Sequence, residues 1–171
     1  MKVFIEEQRF RQVWLMVLLG FSLLVPVGLI INEYAKDNTS MTLQAFIGTL
    51  GTIIASVLLI FIFKLSTKID EKGIHYQFFP FHISMKTILW SEIAHAEVRT
   101  YDPLGEYGGW GLRYSFNKKR GNAINVSGDI GIQLTLKNGK KLLIGTQKKE
   151  AVSRVLKTYN HKLVSYDYFL L

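Results

Sequence analysis

The sequence predicts an α+β chain. Residues 1–63 form a two-helix transmembrane hairpin, and residues 64–171 form one domain of seven short antiparallel strands closed by a C-terminal amphipathic helix. Three observations carry this reading. Two apolar runs, about 13–31 and 43–63, contain no Asp, Glu, Lys, Arg or His. After Phe63 the apolar period changes from that of a helix to the residue-by-residue alternation of strands. Near the C-terminus a helical stripe returns, with Val152, Val155, Leu156 and Tyr159 at i, i+3, i+4 and i+7.

Each apolar run holds roughly 20 residues, and at about 1.5 Å of rise per residue it crosses a hydrocarbon core of about 30 Å. Arg9 and Arg11 stand just before the first run, and Trp14 sits where an interfacial aromatic belongs. That run is longer than a signal-peptide core, lacks an A-x-A-like cleavage site and is followed at once by a second run, so it reads as a retained helix. Met1 to Gln12 reads as an interfacial helical lead-in, and Pro26 is expected to kink the first helix. Gly48, Gly51, Thr52 and Ala55 suit a close helix crossing, within the hairpin or with a second copy. The connector, Asn32 to Thr42, holds one lysine, whereas Lys2, Arg9 and Arg11 lie on one flank and Lys64, Lys68 and Lys72 on the other. By the positive-inside rule both termini are cytoplasmic and the connector is outside.

The 108 residues after Phe63 suffice for one domain with its own core and are too few for two. The chain has no cysteine, which excludes disulfides, thiolate metal sites and cysteine nucleophiles. His75, His82, His95 and His161 lack ligand spacing, so neither a metal nor a cofactor is expected. The net charge of +8 is unevenly placed: residues through Phe63 carry 4 basic and 4 acidic side chains, and those from Lys64 onward carry 17 and 9. A basic domain suits an anionic leaflet, at about 1 kcal/mol per Lys or Arg near the surface. It equally suits plain solubility.

Lys64 to Ile69 leads out of the second span, and Asp70 to Gly73 reads as a turn. The expected strands are Ile74 to Phe79, ending at a corner at Pro80, then Ile83 to Trp90, then Ile93 to Arg99. Tyr101 to Gly109, with Pro103, Gly105, Gly108 and Gly109, reads as a mobile loop. Trp110 to Phe116 and Ala123 to Val126 follow, joined by the basic turn Asn117 to Asn122. Gly131 to Lys137 and Lys141 to Gly145 form a hairpin around Asn138 and Gly139. A two-residue loop would set Leu136 against Lys141 and mix the faces. A bulged three-residue loop is therefore expected, with Leu136 opposite Leu142 and Leu134 opposite Ile144. A helix from about Lys148 to Lys162 docks its stripe on the sheet, and the tail Leu163 to Leu171 packs either on the domain or on lipid.

This element order, together with the segments ILWSEI, GWGLRYSF and NVSGDIGIQLTLKNGKKLLIGTQ, resembles the pleckstrin-homology superfold. It is similar in particular to the bacterial pleckstrin-homology-like domains of small proteins with two N-terminal transmembrane helices and no assigned function. The resemblance covers about Leu65 to Asn160 and implies a partly open barrel or sandwich at a bacterial cytoplasmic membrane, with no particular ligand. Lipid-binding members gather Lys and Arg around the first strand-to-strand turn. Here that turn is Phe78, Phe79, Pro80, Phe81 and His82, and the nearest lysine is Lys86.

No catalytic residue is assigned. Asp102, Glu106 and Asp129 show no pairing of carboxylates, and the run Gly108 to Gly111 lacks the Lys-Ser/Thr ending of a phosphate loop, so the chain is not read as an enzyme. Two basic loops, Lys118, Lys119 and Arg120, and Lys137, Lys140 and Lys141, are candidates for an anionic surface. Nucleic acid ranks below lipid because no aromatics interleave with these charges. Phe79 and Phe81 form an apolar corner that either closes one end of the domain or inserts in the membrane interface. The expected function is a membrane-tethered, non-catalytic binding or scaffolding module that recruits a protein partner. The alternative is recognition of anionic lipid headgroups by the basic loops.

Overall fold

The computed structural model describes residues 2–36, 41–114 and 121–163. The chain divides into two compact units, Phe10–Phe63 and Met1–Arg9 with Lys64–Leu171.

The first unit is a pair of helices. Helix α1 (Val13–Tyr34) contains Pro26, and α2 (Leu43–Leu58) continues as a 3-10 turn, Leu59–Ile62. Both are long and apolar enough to cross a membrane, and neither buries a residue within the chain. Thr42 caps α2, its Oγ1 accepting from Ala45 N at 3.2 Å, and Tyr34 stacks on Phe46 at 4.5 Å. Hydroxyls inside the apolar runs are turned back onto their own helices: Ser22, Thr49, Thr52 and Ser56 donate to carbonyls three or four residues earlier. Such bonding satisfies polar groups without water. A Cβ placed on Gly48 or Gly51 would meet no atom within 4 Å, so these glycines do not serve the close crossing expected of them within the hairpin.

The second unit holds two sheets. The first has the order β1-β2-β3-β4, from β1 (Phe4–Arg9), β2 (Lys64–Ile69), β3 (Gly73–Phe79) and β4 (Lys86–Leu89), all antiparallel. One of these strands overturns an expectation. The N-terminal segment is not a helical lead-in but a strand, and with it residues 1–9 belong to the sheet unit and not to the helical hairpin. Its signal is the alternation of buried Phe4, Glu6 and Gln8 with exposed Ile5, Glu7 and Arg9. The partner that makes this a strand, β2, lies beyond both helices, at Phe4↔Ile69 through Arg9↔Lys64. Only tertiary pairing reveals it.

The second sheet has the order β5-β8-β9-β7-β6, from β5 (Ile93–Thr100), β6 (Gly111–Arg113), β7 (Asn122–Asn125), β8 (Ile130–Leu136) and β9 (Lys141–Gly145). The seven expected strands are thus joined by β1 and β2, in two sheets and not one set of seven antiparallel strands. One pair, β7 with β9, is parallel. The cause is insertion of β9 between β8 and β7: successive strands reverse direction, so strands two steps apart run the same way. The hairpin loop is Lys137, Asn138 and Gly139, with Leu134 opposite Leu142 and Ile132 opposite Ile144. That register is displaced by two residues from the expected one. Because side chains alternate with period two, the apolar faces are preserved.

Helix α3 (Pro103–Tyr107) occupies what reads in sequence as a mobile loop. Its signals are local: Asp102 Oδ1 accepts from Leu104 N, Glu106 Oε1 accepts from Asp102 N, Pro103 opens the first turn and Gly108 ends it at φ 71°. Tyr107 joins Tyr101, Ala123 and Leu143 in a small cluster on the second sheet. Helix α4 (Lys149–Tyr159) buries Val152, Val155, Leu156 and Tyr159 against β1, β5 and β8, at about 1.5–3 kcal/mol for each side chain removed from water. Tyr159 stacks on Trp90 at 5.3 Å and donates to Lys2 O at 2.6 Å. Strand β1 also reaches the second sheet. Thr146 Oγ1 and Gln147 N donate to the buried Glu6 carboxylate at 2.6 and 2.9 Å, and Gln8 Nε2 donates to Gly145 O at 2.8 Å.

Candidate functional site

The apolar corner at the end of β3 does not close the domain. Phe78 alone turns inward; Phe79, Phe81, Ile83 and Met85 are 40, 62, 88 and 42% exposed. The pattern Phe79-Pro80-Phe81-His82-Ile83-Ser84-Met85 places an apolar side chain at every second position, and only His82 of the intervening residues is buried. Ile83 and Met85 were missed in the sequence because Ile83 reads as the start of a strand, whereas β4 begins at Lys86.

The loop is held from beneath. His82 N donates to Phe78 O at 2.8 Å, Phe78 N donates to His82 Nδ1 at 3.3 Å, and the Gln77 amide donates to His82 O and Ile83 O at 3.1 and 2.7 Å. Burial, followed by the Lys86 charge, holds the His82 pKa below the ordinary imidazole range, so the ring is a neutral acceptor. The Tyr76 ring meets it edge-on at 5.8 Å, and Phe81 stacks on Phe78 at 6.0 Å.

A second feature is the groove between β5 and α4, about 250 Å³, lined by Ala96, Glu97, Val98, Ser153, Leu156 and Lys157. Strand β5 pairs with β8 on one side, and among the described residues no strand pairs with its other side. Ala96 and Val98 are small and half-buried there, so the edge is accessible along its middle. The opposite face of β5 is pinned by Arg99. Its guanidinium donates to both oxygens of Glu106 at 3.1 and 2.7 Å and to Gln133 Oε1, and the Glu106 hydrogen bonds raise its pKa further. Behind it, burial pushes Tyr101 up to about 12 against the hydrogen bond from Asn125 Nδ2.

Of the basic candidates, Lys118, Lys119 and Arg120 lie outside the described residues. Lys137 and Lys140 are exposed at the β8–β9 tip and Lys141 is half-buried in β9. Lys137 N donates to Glu92 O at 2.9 Å, which ties the tip to the turn after β4. That turn leaves the first sheet beside Leu89, paired with Gly73 at the start of β3. Phe79 is at the other end of β3, and a strand of that length spans roughly 20 Å at about 3.3 Å per residue. The hairpin lysines and the apolar loop are therefore not one site.

Two of the three carboxylates weighed for chemistry have structural partners: Asp102 caps α3 and Glu106 pairs with Arg99. Among the described residues no three His, Asp or Glu side chains come together to hold a metal ion. Comparison of the chain with protein-family models and with curated proteins returns no match to either.

Proposed function

We propose that this chain is a membrane-tethered, non-catalytic binding module that recruits or steadies a protein partner by accepting an extended segment of it along the free edge of β5, beside α4. The observation that carries the reading is the edge itself, eight residues long, unpaired by any described strand and flanked by a groove over Leu156. Main-chain hydrogen bonds to such an edge supply affinity, and a groove for alternate side chains supplies selectivity. The two apolar helices support a position in a membrane, and the positive-inside bias of the lysines and arginines supports a cytoplasmic domain with both termini inside. A pleckstrin-homology-like ancestry fits the order of strands followed by an amphipathic helix, and a bacterial cytoplasmic membrane is what that resemblance implies. The parallel β7–β9 pair is a departure from that pattern.

Recognition of anionic lipid by the basic loops is the competing reading, and the remoteness of the hairpin tip from the sheet end bearing Phe79 weighs against it. A photo-crosslinking residue at Glu97 in the full-length protein tests the two. Expected is a discrete protein adduct that persists at high salt and is lost when Ser153→Tyr fills the groove. Absence of an adduct, with one anionic lipid co-purifying until Lys137 and Lys140 are reversed to Glu, overturns the edge reading.

A further inference from the structure

We infer that the end of β3 and the loop that follows it, residues 79–85, are a lipid contact, seated in the interfacial layer of the bilayer with Phe79, Phe81, Ile83 and Met85 toward the acyl chains. This rests on the reading of α1 and α2 as membrane spans. Four apolar side chains are exposed on one short loop, an arrangement that water alone disfavours and a partly apolar layer favours. The register says which apolar layer. Arg9, Lys64 and Phe79 are successive partners across β1, β2 and β3, so they mark one end of the first sheet. At that end the chain leaves for α1 after Arg9 and returns from the α2 turn at Lys64. With neighbouring strands about 4.8 Å apart, Phe79 is within one strand spacing of the residue that follows Phe63. The loop therefore lies at the end of the sheet where the chain passes to and from the two apolar helices.

The polar atoms agree with that occupant. The carbonyls of His82 and Ile83, which lipid could not satisfy, already accept from Gln77, and buried His82 is turned back to Phe78. Arg9 and Lys86 border the loop with positive charge suited to phosphate headgroups, while the Lys64 ammonium is paired with Glu7 at 3.0 Å. The basic hairpin at Lys140 stands at the other end of β3, so it serves as a water-facing reference.

The chain has no cysteine, so single spin labels can be placed without background. Full-length Phe81→Cys, Ile83→Cys, Leu24→Cys and Lys140→Cys are labelled in nanodiscs of phosphatidylcholine with phosphatidylglycerol. Collisions with oxygen and with a water-soluble nickel chelate are then measured. Expected is a several-fold higher oxygen-to-nickel ratio at 81 and 83 than at 140, approaching that of 24 within α1. Water-like ratios at 81 and 83 with a lipid-like ratio at 24 overturn the loop contact and leave the spans standing. Shielding of 81 and 83 from both reagents overturns it in favour of a protein occupant, a second copy included. A water-like ratio at 24 removes the spans and the loop contact together.

Discussion

Lys64 and Phe79 face each other across β2 and β3. One follows directly on the second apolar segment and the other opens the exposed apolar loop, so a single cross-strand pair sets that loop beside the point where the chain returns from the apolar helices. Two features that are 15 residues apart in sequence thereby share one end of the fold.

That loop depends on a neutral His82. Its folded pKa is lowered by burial and then by Lys86, so the unfolded chain takes up a proton at higher pH than the folded one. The stabilisation is complete above the ordinary imidazole range and is lost as pH falls through the lowered value. Relative to His82→Gln, the wild type should progressively lose its advantage in thermal melting as pH falls below the ordinary imidazole range. A pH-independent difference would remove His82 from this role.

Asp70 behaves in the familiar acidic sense. Burial alone would raise its pKa, but hydrogen bonds from His75 Nε2, the Lys68 ammonium and Lys72 N, each at 2.9 Å, outweigh burial and hold it well below the usual carboxylate range. Its contribution is complete above that range and is lost as pH falls through the lowered value. Asp70→Asn should cost about 1–3 kcal/mol in denaturant unfolding near neutrality. The gap between the two proteins should close progressively below about pH 4.

Glu6 fastens β1 to the second sheet, where it accepts from Thr146 and Gln147. Gln8 Oε1 and Thr67 Oγ1, buried nearby, have no hydrogen-bond partner among the described residues, so this strand has little polar satisfaction to spare. Glu6→Ala leaves the buried Thr146 hydroxyl and the part-buried Gln147 N–H without this acceptor, at about 1–3 kcal/mol. Amide exchange over Phe4–Arg9 should accelerate about tenfold or more, since about 1.4 kcal/mol is one decade, while exchange in β8 stays close to wild type.

Gly73 carries a steric requirement. A Cβ there would stand 2.1 Å from Ile88 O, against the backbone of β4. Gly73→Ala should therefore force β3 and β4 apart and destabilise by about 1–3 kcal/mol in chemical unfolding. Gly48→Ala, with open space around it, should leave stability within about 0.5 kcal/mol of wild type or raise it slightly.

The groove at β5 yields a prediction about folding as well as binding. Ser153→Tyr fills space already present over Leu156, so its melting temperature should match wild type while the Glu97 adduct disappears. A variant that melts far lower would show that the groove is needed for packing.

What the sequence determined by itself is whatever a local window contains. Charge-free runs of helical length, the alternation of β3, β5, β8 and β9, and the stripe Val152, Val155, Leu156 and Tyr159 are properties of neighbouring residues, and each is present where expected. Helix α3 was legible too, in its Asp-Pro opening, Glu106 and closing Gly108, but the glycines around it masked the capping signal. Tertiary structure alone decided what depends on distant partners. Strand β1 exists because β2 meets it across two helices, β7 runs parallel because β9 enters between it and β8, and the hairpin register shifts by two residues at no change of face. The candidate site belongs to this second class. Phe79 and Phe81 were visible as an apolar corner, but the exposure of Ile83 and Met85 follows from where β4 starts, and the pairing of Phe79 with Lys64 from how β2 meets β3. Burial and register are relations between segments, and a segment read alone does not contain them.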